Sequence, residues 1–158
     1  SADVSKKFKL IGFSGADMEK FTKEQRSYIM SRIRSRDTKP ELQLRKFLYA
    51  RGMRGYRIRN KLPGSPDIVF TKQKVAIFVD GCFWHGCPLC YRQPQNNAEF
   101  WTKKLTNNVL RDRKVDDQLT AAGWTVIRFW EHVVMNDIDS CVERIMQAIS
   151  RGTPNTNA

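Results

Sequence analysis

The chain has 158 residues, 41% of them hydrophobic, and carries 28 Lys/Arg against 16 Asp/Glu for a net charge of +12. That length and apolar content suit one domain with a real core, and no run approaches the roughly eighteen apolar residues that a membrane span needs. The charge is lopsided: residues 1–60 hold 16 Lys/Arg and 6 Asp/Glu, the remainder 12 and 10, so a polyanion, most simply nucleic acid, is the expected partner.

Taken in order, residues 1–21 lack an apolar period and show no apolar stretch followed by a cleavage site, so they read as a flexible basic arm and not as a signal peptide. "TKEQRSYIMSRIRSR" (22–36) has helical spacing, with Tyr28 or Ile29, Arg32 and Ile33 on one face. "RDTKPELQLRKFLYARG" predicts a second helix: Thr38 as N-cap, Pro40 in the first turn, Glu41 three residues after the cap, and Gly52 as the stop. "GYRIRNK" alternates like a strand, "LPGSP" is a turn, "DIVF" is short and apolar, and "KVAIFVD" reads as a buried strand.

Residues 96–123 form a long helix ending at Gly123. "WTVIRFW" is expected to be another buried strand, and "DIDSCVERIMQAISRG" a final amphipathic helix. Helices before, between and after the strands predict an α/β domain over residues 22–151, with helices on both faces of one sheet and a disordered tail at 152–158.

Two carboxylates stand where structure alone does not ask for them. Asp67 opens a strand after "GSP", although a turn aspartate satisfying backbone groups is the plain alternative. Asp112 falls on the inward stripe of the long helix, which runs Trp101, Leu105, Val109, Asp112, Asp116, Leu119. A solvated partner for Arg111 or Arg113 explains it equally well. Glu41, in T-x-x-E, is first of all the capping-box partner of Thr38. Carboxylates at strand and helix ends can hold Mg²⁺, which stabilises charge building on phosphorus and lowers the pKa of an attacking water.

The densest stretch is "GCFWHGCPLC" (81–90). Cys82, Cys87 and Cys90 offer three soft ligands suited to tetrahedral zinc, and His132, just past a strand end, is the preferred fourth. Cys141 fits a buried core position better. A C-x4-C-x2-C cluster does not resemble a secreted disulfide framework, so a reducing, cytoplasmic location is expected. Phe83 and Trp84 either cover the metal site or face outward to stack on bases. His85, if not a ligand, is an imidazole able to take a proton from water near neutral pH.

"RDTKPE", "LPGSPDIVF", "FVDGCFWHGCP", "NAEFW", N-x3-RD and "GWTVIRFWE" occur in the order and spacing of the very-short-patch-repair (Vsr) DNA mismatch endonucleases. The chain resembles that family over about residues 22–135. The resemblance implies a restriction-endonuclease-like core, a central mixed sheet flanked by helices, with a structural zinc site. It implies a Mg²⁺-dependent enzyme that nicks one strand of double-stranded DNA 5′ to the thymine of a T:G mismatch.

By the same resemblance, Asp67 matches the metal-binding aspartate and the backbone carbonyl of Val79 a second Mg²⁺ ligand. Asp80 is either a further ligand or a partner for His85. His85 matches the histidine that activates water, and Glu41 and Asp112 the supporting acids. Phe83, Trp84 and Trp101 match aromatics that wedge into the duplex, and Met30, Lys104 and Asn108 fall where members contact the mispaired region. Trp101, Lys104 and Asn108 would share one helix face.

The chain departs from the pattern in how Cys and His are dealt among the zinc ligands, in carrying Asp80 where some members have histidine, and in residues 1–21, which match nothing in the family. A monomer near the bacterial nucleoid is the implied state, other repair proteins being conceivable partners. The rivals are a site-specific or homing-type endonuclease acting on matched duplex, and a zinc-stabilised DNA-binding module without catalysis.

Overall fold

The computed structural model describes residues 21–25, 27, 36–82, 84–93, 95 and 97–152. The expected basic arm up to residue 20, most of the first expected helix with Met30, Phe83, and the tail beyond Gly152 lie outside the described residues. Of the first helix, Lys23, Glu24, Gln25 and Ser27 are helical. Its start is a reciprocal capping box: the Gln25 N–H donates to Thr22 Oγ1 at 3.2 Å and the Thr22 N–H to Gln25 Oε1 at 2.9 Å.

The chain packs as two compact units, one of Pro40–Val79 with Asp112–Ala158, the other of Asp80–Arg111 with Ser1–Lys39. In chain order the elements are α1 (Lys39–Ala50), β1 (Tyr56–Arg57), β2 (Ile68–Phe70), β3 (Val75–Asp80), α2 (Ala98–Ala121), β4 (Thr125–Trp130), α3 (Glu131–Asn136) and α4 (Ile138–Gly152). Two helices stop in the same way. After α1 the Met53 N–H reaches the Leu48 carbonyl and the Gly52 N–H that of Tyr49, and after α2 Trp124 and Gly123 bond to Leu119 and Thr120. Both stops are Schellman motifs, and Gly52 (φ 79°) and Gly123 (φ 86°) take the left-handed turn that they require.

The sheet order is β1-β2-β3-β4, with β1 antiparallel to β2 and β2 antiparallel to β3. β3 and β4 are joined through the long helix α2, and the Thr125 N–H donates to the Lys74 carbonyl at 2.8 Å, so both strands start side by side. That is the parallel arrangement a helical crossover makes, and the sheet is mixed.

All six residues of β3 are buried, and their alternation divides the core in two. Val75, Ile77 and Val79 pack with Leu44 and Leu48 of α1 and with Cys141, Val142 and Ile145 of α4. Ala76 and Phe78 pack with Val115 and Leu119 of α2. Helices on both faces are why this strand reads as an unbroken apolar run instead of an alternating one.

Three expectations change. β4 is half-buried, only Ile127 and Phe129 being fully covered, because among the described strands it has a neighbour only at β3. The alternating "GYRIRNK" yields two paired residues, the chain leaving the ladder after Arg57. The short helix α3 was not expected. No helix among the described residues is long and apolar enough to cross a membrane.

Candidate active site and metal centre

Asp67 immediately precedes β2 and is tied to β3 by its backbone and its side chain. Its N–H donates at 2.9 Å to the carbonyl of Ile77, the residue already paired with Ile68, so the bond lies one residue out of the ladder's register. Its Oδ2 accepts the Val79 N–H at 2.7 Å. The half-buried carboxylate is thereby fixed on the backbone of the residue whose carbonyl was expected to share its metal. A carboxylate and a carbonyl oxygen are the hard donors that Mg²⁺ takes, with waters completing its shell. Upstream, Asn60 braces the turn: its Nδ2 donates to the Pro66 carbonyl at 3.0 Å and its Oδ1 accepts the Leu62 N–H at 3.1 Å.

The next residue along β3, Asp80, is buried, and its Oδ1 lies 4.0 Å from His85 Nδ1. Of the two roles offered for Asp80, a metal ligand or a partner for His85, this is the geometry of the second. Nδ1 is the ring nitrogen facing the carboxylate.

The cysteine loop is wound tightly by its backbone. The His85 N–H donates to Gly81 O, Cys87 N–H to Cys82 O, and Tyr91 N–H to Cys87 O. Cys82 and Cys87 are buried, Cys90 is exposed, and no described cysteine is in a disulfide. The ligand atoms of Cys82, Cys87, Cys90 and His132 all lie within 4.8 Å of one another. Neighbouring donors on a tetrahedral zinc sit about 3.5–3.8 Å apart, from bonds of roughly 2.0–2.3 Å. This Cys₃His group could therefore hold a metal ion such as zinc after small adjustments. Cys141 is elsewhere, in the core beside Val142 and Ile145, where burial and then the nearby Asp137 carboxylate push its thiol up to about 11. A thiol kept neutral in this way is a poor metal ligand.

Trp84, expected either to cover the loop or to face outward, is buried. Its ring centroid lies 5.7 Å from that of Trp101, which in turn meets Phe100 edge-on at 5.2 Å. Asn108, placed by the resemblance against the mispair, is only 2% exposed. Its Nδ2 donates to the Trp84 carbonyl at 3.1 Å, and Arg111 Nη2 donates to its Oδ1 at 3.0 Å. In this state both ends of the amide hold protein, and the aromatic loop is fastened to α2 through it. Trp101, Lys104 and Asn108 do share the more covered face of α2.

Asp112 lies on that helix face too, half-buried, and it faces Arg128 of β4. Arg128 was not singled out from the sequence. Its Nε bonds both carboxylate oxygens of Asp116 at 2.8 and 3.1 Å, its guanidinium lies 4.0 Å over the Phe78 ring, and its Nη1 is 3.9 Å from Asp112 Oδ1. The only prior sign was a cation inside a strand otherwise apolar. Glu41, in the first turn of α1, is 2% exposed, with Arg45 Nη2 at 3.4 Å from its Oε2. A carboxylate that deeply covered is costly unless it is paired, and Arg45 one turn on supplies a partner.

An α/β domain with a strand-end aspartate, an imidazole–carboxylate pair and a Cys₃His group carries side chains that a nuclease can use. Sequence comparison gives that class its family. The family described as DNA mismatch endonuclease Vsr matches residues 18–92. Type II nicking enzyme V.NmeDIP of Neisseria meningitidis serogroup C is 41% identical over 134 residues, covering 84% of this chain and 90% of the relative. Type II nicking enzyme V.NaeI of Lentzea aerocolonigenes is 44% identical over 132 residues, 80% of each. DNA mismatch endonuclease Vsr of Escherichia coli K12 is 39% identical over 112 residues, 69% of this chain and 70% of the relative. The chain belongs to the Vsr family of DNA endonucleases. It is a DNA-cleaving hydrolase, which removes the rival of a binding module without catalysis.

Proposed function

We propose that the protein nicks one strand of duplex DNA 5′ to the thymine of a T:G mismatch, in a Mg²⁺-dependent reaction leaving a 3′-hydroxyl and a 5′-phosphate, on a restriction-endonuclease-like core. The observation that carries the reading is the Asp67 carboxylate bound to the Val79 backbone at a strand end, in a chain of an endonuclease family.

Asp67 and the Val79 carbonyl would hold Mg²⁺, whose chemistry is to neutralise charge developing on the scissile phosphate. His85, oriented by Asp80, takes the proton of the attacking water. Asp112 and Glu41 orient that water and the histidine. The zinc held by Cys82, Cys87, Cys90 and His132 keeps the loop carrying His85 folded and takes no part in the reaction.

Phe83, Trp84 and Trp101 form the wedge, with Met30, Lys104 and Asn108 contacting the mispaired region. Since Trp84 is packed inside, its insertion requires the loop to open and the Asn108–Trp84 hydrogen bond to break. Unstacking a base step costs a few kcal/mol and least at a mispair, so insertion of the wedge discriminates while the loop opening adds the same cost on any duplex. A single mismatch offers a single site, and one protein chain per nick follows.

Site-specific nicking of matched duplex is the second reading, favoured by the names of the relatives at 41% and 44% identity, which are called nicking enzymes. The two readings part on duplexes identical but for one T:G or C:G pair, end-labelled on either strand and presented in a library of flanking sequences. Nicking confined to the T strand of T:G duplexes supports mismatch repair. Equal or faster nicking of a matched site overturns it in favour of the rival.

A further inference from the structure

Between Glu41 and Asp67 the chain has no carboxylate and seven cations. Two are engaged within the protein: Arg45 with Glu41, and Arg51 with Asp139 at 2.7 Å. Arg54 lies over the Tyr49 ring. Arg57, Arg59 and Lys61 are all exposed, and among the described residues none of the three has an ion pair or side-chain hydrogen bond.

Their place in the fold is specific. Among the described residues β1 is an edge strand, with β2 as its one neighbour. It pairs antiparallel with β2, Tyr56 opposite Phe70 and Arg57 opposite Val69. The regular ladder ends there, yet Asn60 still reaches across to the Pro66 carbonyl, which is the partner the same register assigns to it. The chain bends at Ile58 but is back beside Pro66 at Asn60, which leaves Arg59 in the stretch that runs past the Asp67 end of β2. Two-residue steps separate Arg57, Arg59 and Lys61, each at most roughly 6–7 Å in Cα span and shorter across the bend at Ile58. Long, flexible side chains on such steps can reach successive phosphates along a DNA strand.

We propose that Arg57, Arg59 and Lys61 are a rail for the phosphates of one DNA strand, leading it to Asp67. The destination rests on the role given to Asp67 above; the rail itself is a backbone contact that any duplex would make. Three unpaired cations along this edge, with no acid in the preceding chain back to Glu41, fit a polyanion. They would also keep this edge from pairing with another strand, but that purpose does not call for a string of cations continuing past the strand.

The test is the salt dependence of binding, read by anisotropy of labelled T:G and C:G duplexes from 50 to 300 mM NaCl. Each phosphate contact contributes about 0.9 to the slope of log K against log[salt]. The triple variant R57Q/R59Q/K61Q is expected to lower the slope by about two to three, and Arg59→Gln alone by about one. Between 50 and 200 mM the wild type then loses up to about 40-fold more affinity than the triple variant. A control with the same charge removed at Lys46, Lys72 and Arg151 is expected to change the slope by less than one. An unchanged slope in the triple variant, or an equal fall in the control, overturns the rail. The C:G duplex separates this from the mismatch reading: loss of T:G preference leaves the slope difference intact, and an absent slope difference leaves the T:G preference intact.

Discussion

The backbone N–H of Val79 donates a 2.7 Å hydrogen bond to Oδ2 of Asp67, and the Asp67 N–H is held by Ile77 on the same strand. A carboxylate fixed at its backbone and at one oxygen loses little freedom on binding a cation, which is how a site made of few protein ligands is kept ready. β3 supplies the rigidity, being buried along its whole length.

The Cys₃His group should hold one zinc per chain. Cys87→Ser, at a fully buried position, is expected to lower zinc content by elemental analysis and to depress the melting temperature by more than ten degrees, since structural zinc contributes folding free energy directly. Cys141→Ala should keep its zinc. Equal zinc in both variants would remove the assignment of these ligands.

Burial and the Asp137 carboxylate raise the Cys141 thiol to about 11, from 9.0 when exposed. The folded state therefore keeps the proton that the unfolded chain releases above about pH 9. The stability this gives is complete below pH 9 and is lost as pH climbs to 11, a fall of about 2–3 kcal/mol. Denaturant unfolding at pH 8, 9.5 and 11 should show that extra decline in wild type relative to Cys141→Ala. Parallel curves for the two would contradict it.

Arg128 is bidentate to Asp116 and stacked on Phe78, so it fixes both carboxylates of that α2 face. Arg128→Gln is expected to destabilise by about 1–3 kcal/mol. Combined with Asp116→Asn it should show a coupling of about 1 kcal/mol in a double-mutant cycle. Additive single effects would mean the fork makes no net contribution.

Asn108→Ala leaves the Trp84 carbonyl and Arg111 without the amide between them. Loss of one buried side-chain hydrogen bond pair costs about 1–3 kcal/mol. If the amide also latches the aromatic loop, Trp fluorescence should shift to longer wavelength in the free variant as Trp84 gains water. An unshifted spectrum would show that the loop stays closed without it.

Much of this fold could be read from periodicity. α1 begins after Thr38, α1 and α2 both end just before their glycines, and β3 is where the apolar run lies. β1 could not be measured from its pattern, because alternation in "GYRIRNK" describes exposure and not pairing, and only two residues find partners. The edge position of β4 depends on sheet order, which a sequence does not state. In the site, the Cys₃His group followed from ligand chemistry, while Arg128 did not, because its partners Asp116 and Phe78 are brought to it only by the packing of α2 on β3 and β4. Asn108 shows another limit: the family resemblance places it at the mispair, while its bonds to Trp84 and Arg111 within the protein depend on packing that a sequence does not state. T-x-x-Q at Thr22–Gln25 was a legible capping box that the basic composition of the stretch overshadowed.

The most direct measurement is single-turnover nicking with Mg²⁺ on a T:G duplex by wild type and Asp67→Ala, with binding of the same duplex measured in parallel. The account predicts binding within a few-fold of wild type and nicking slower by about a thousandfold or more, the several kcal/mol that a positioned metal supplies. Nicking by Asp67→Ala at the wild-type rate would contradict it.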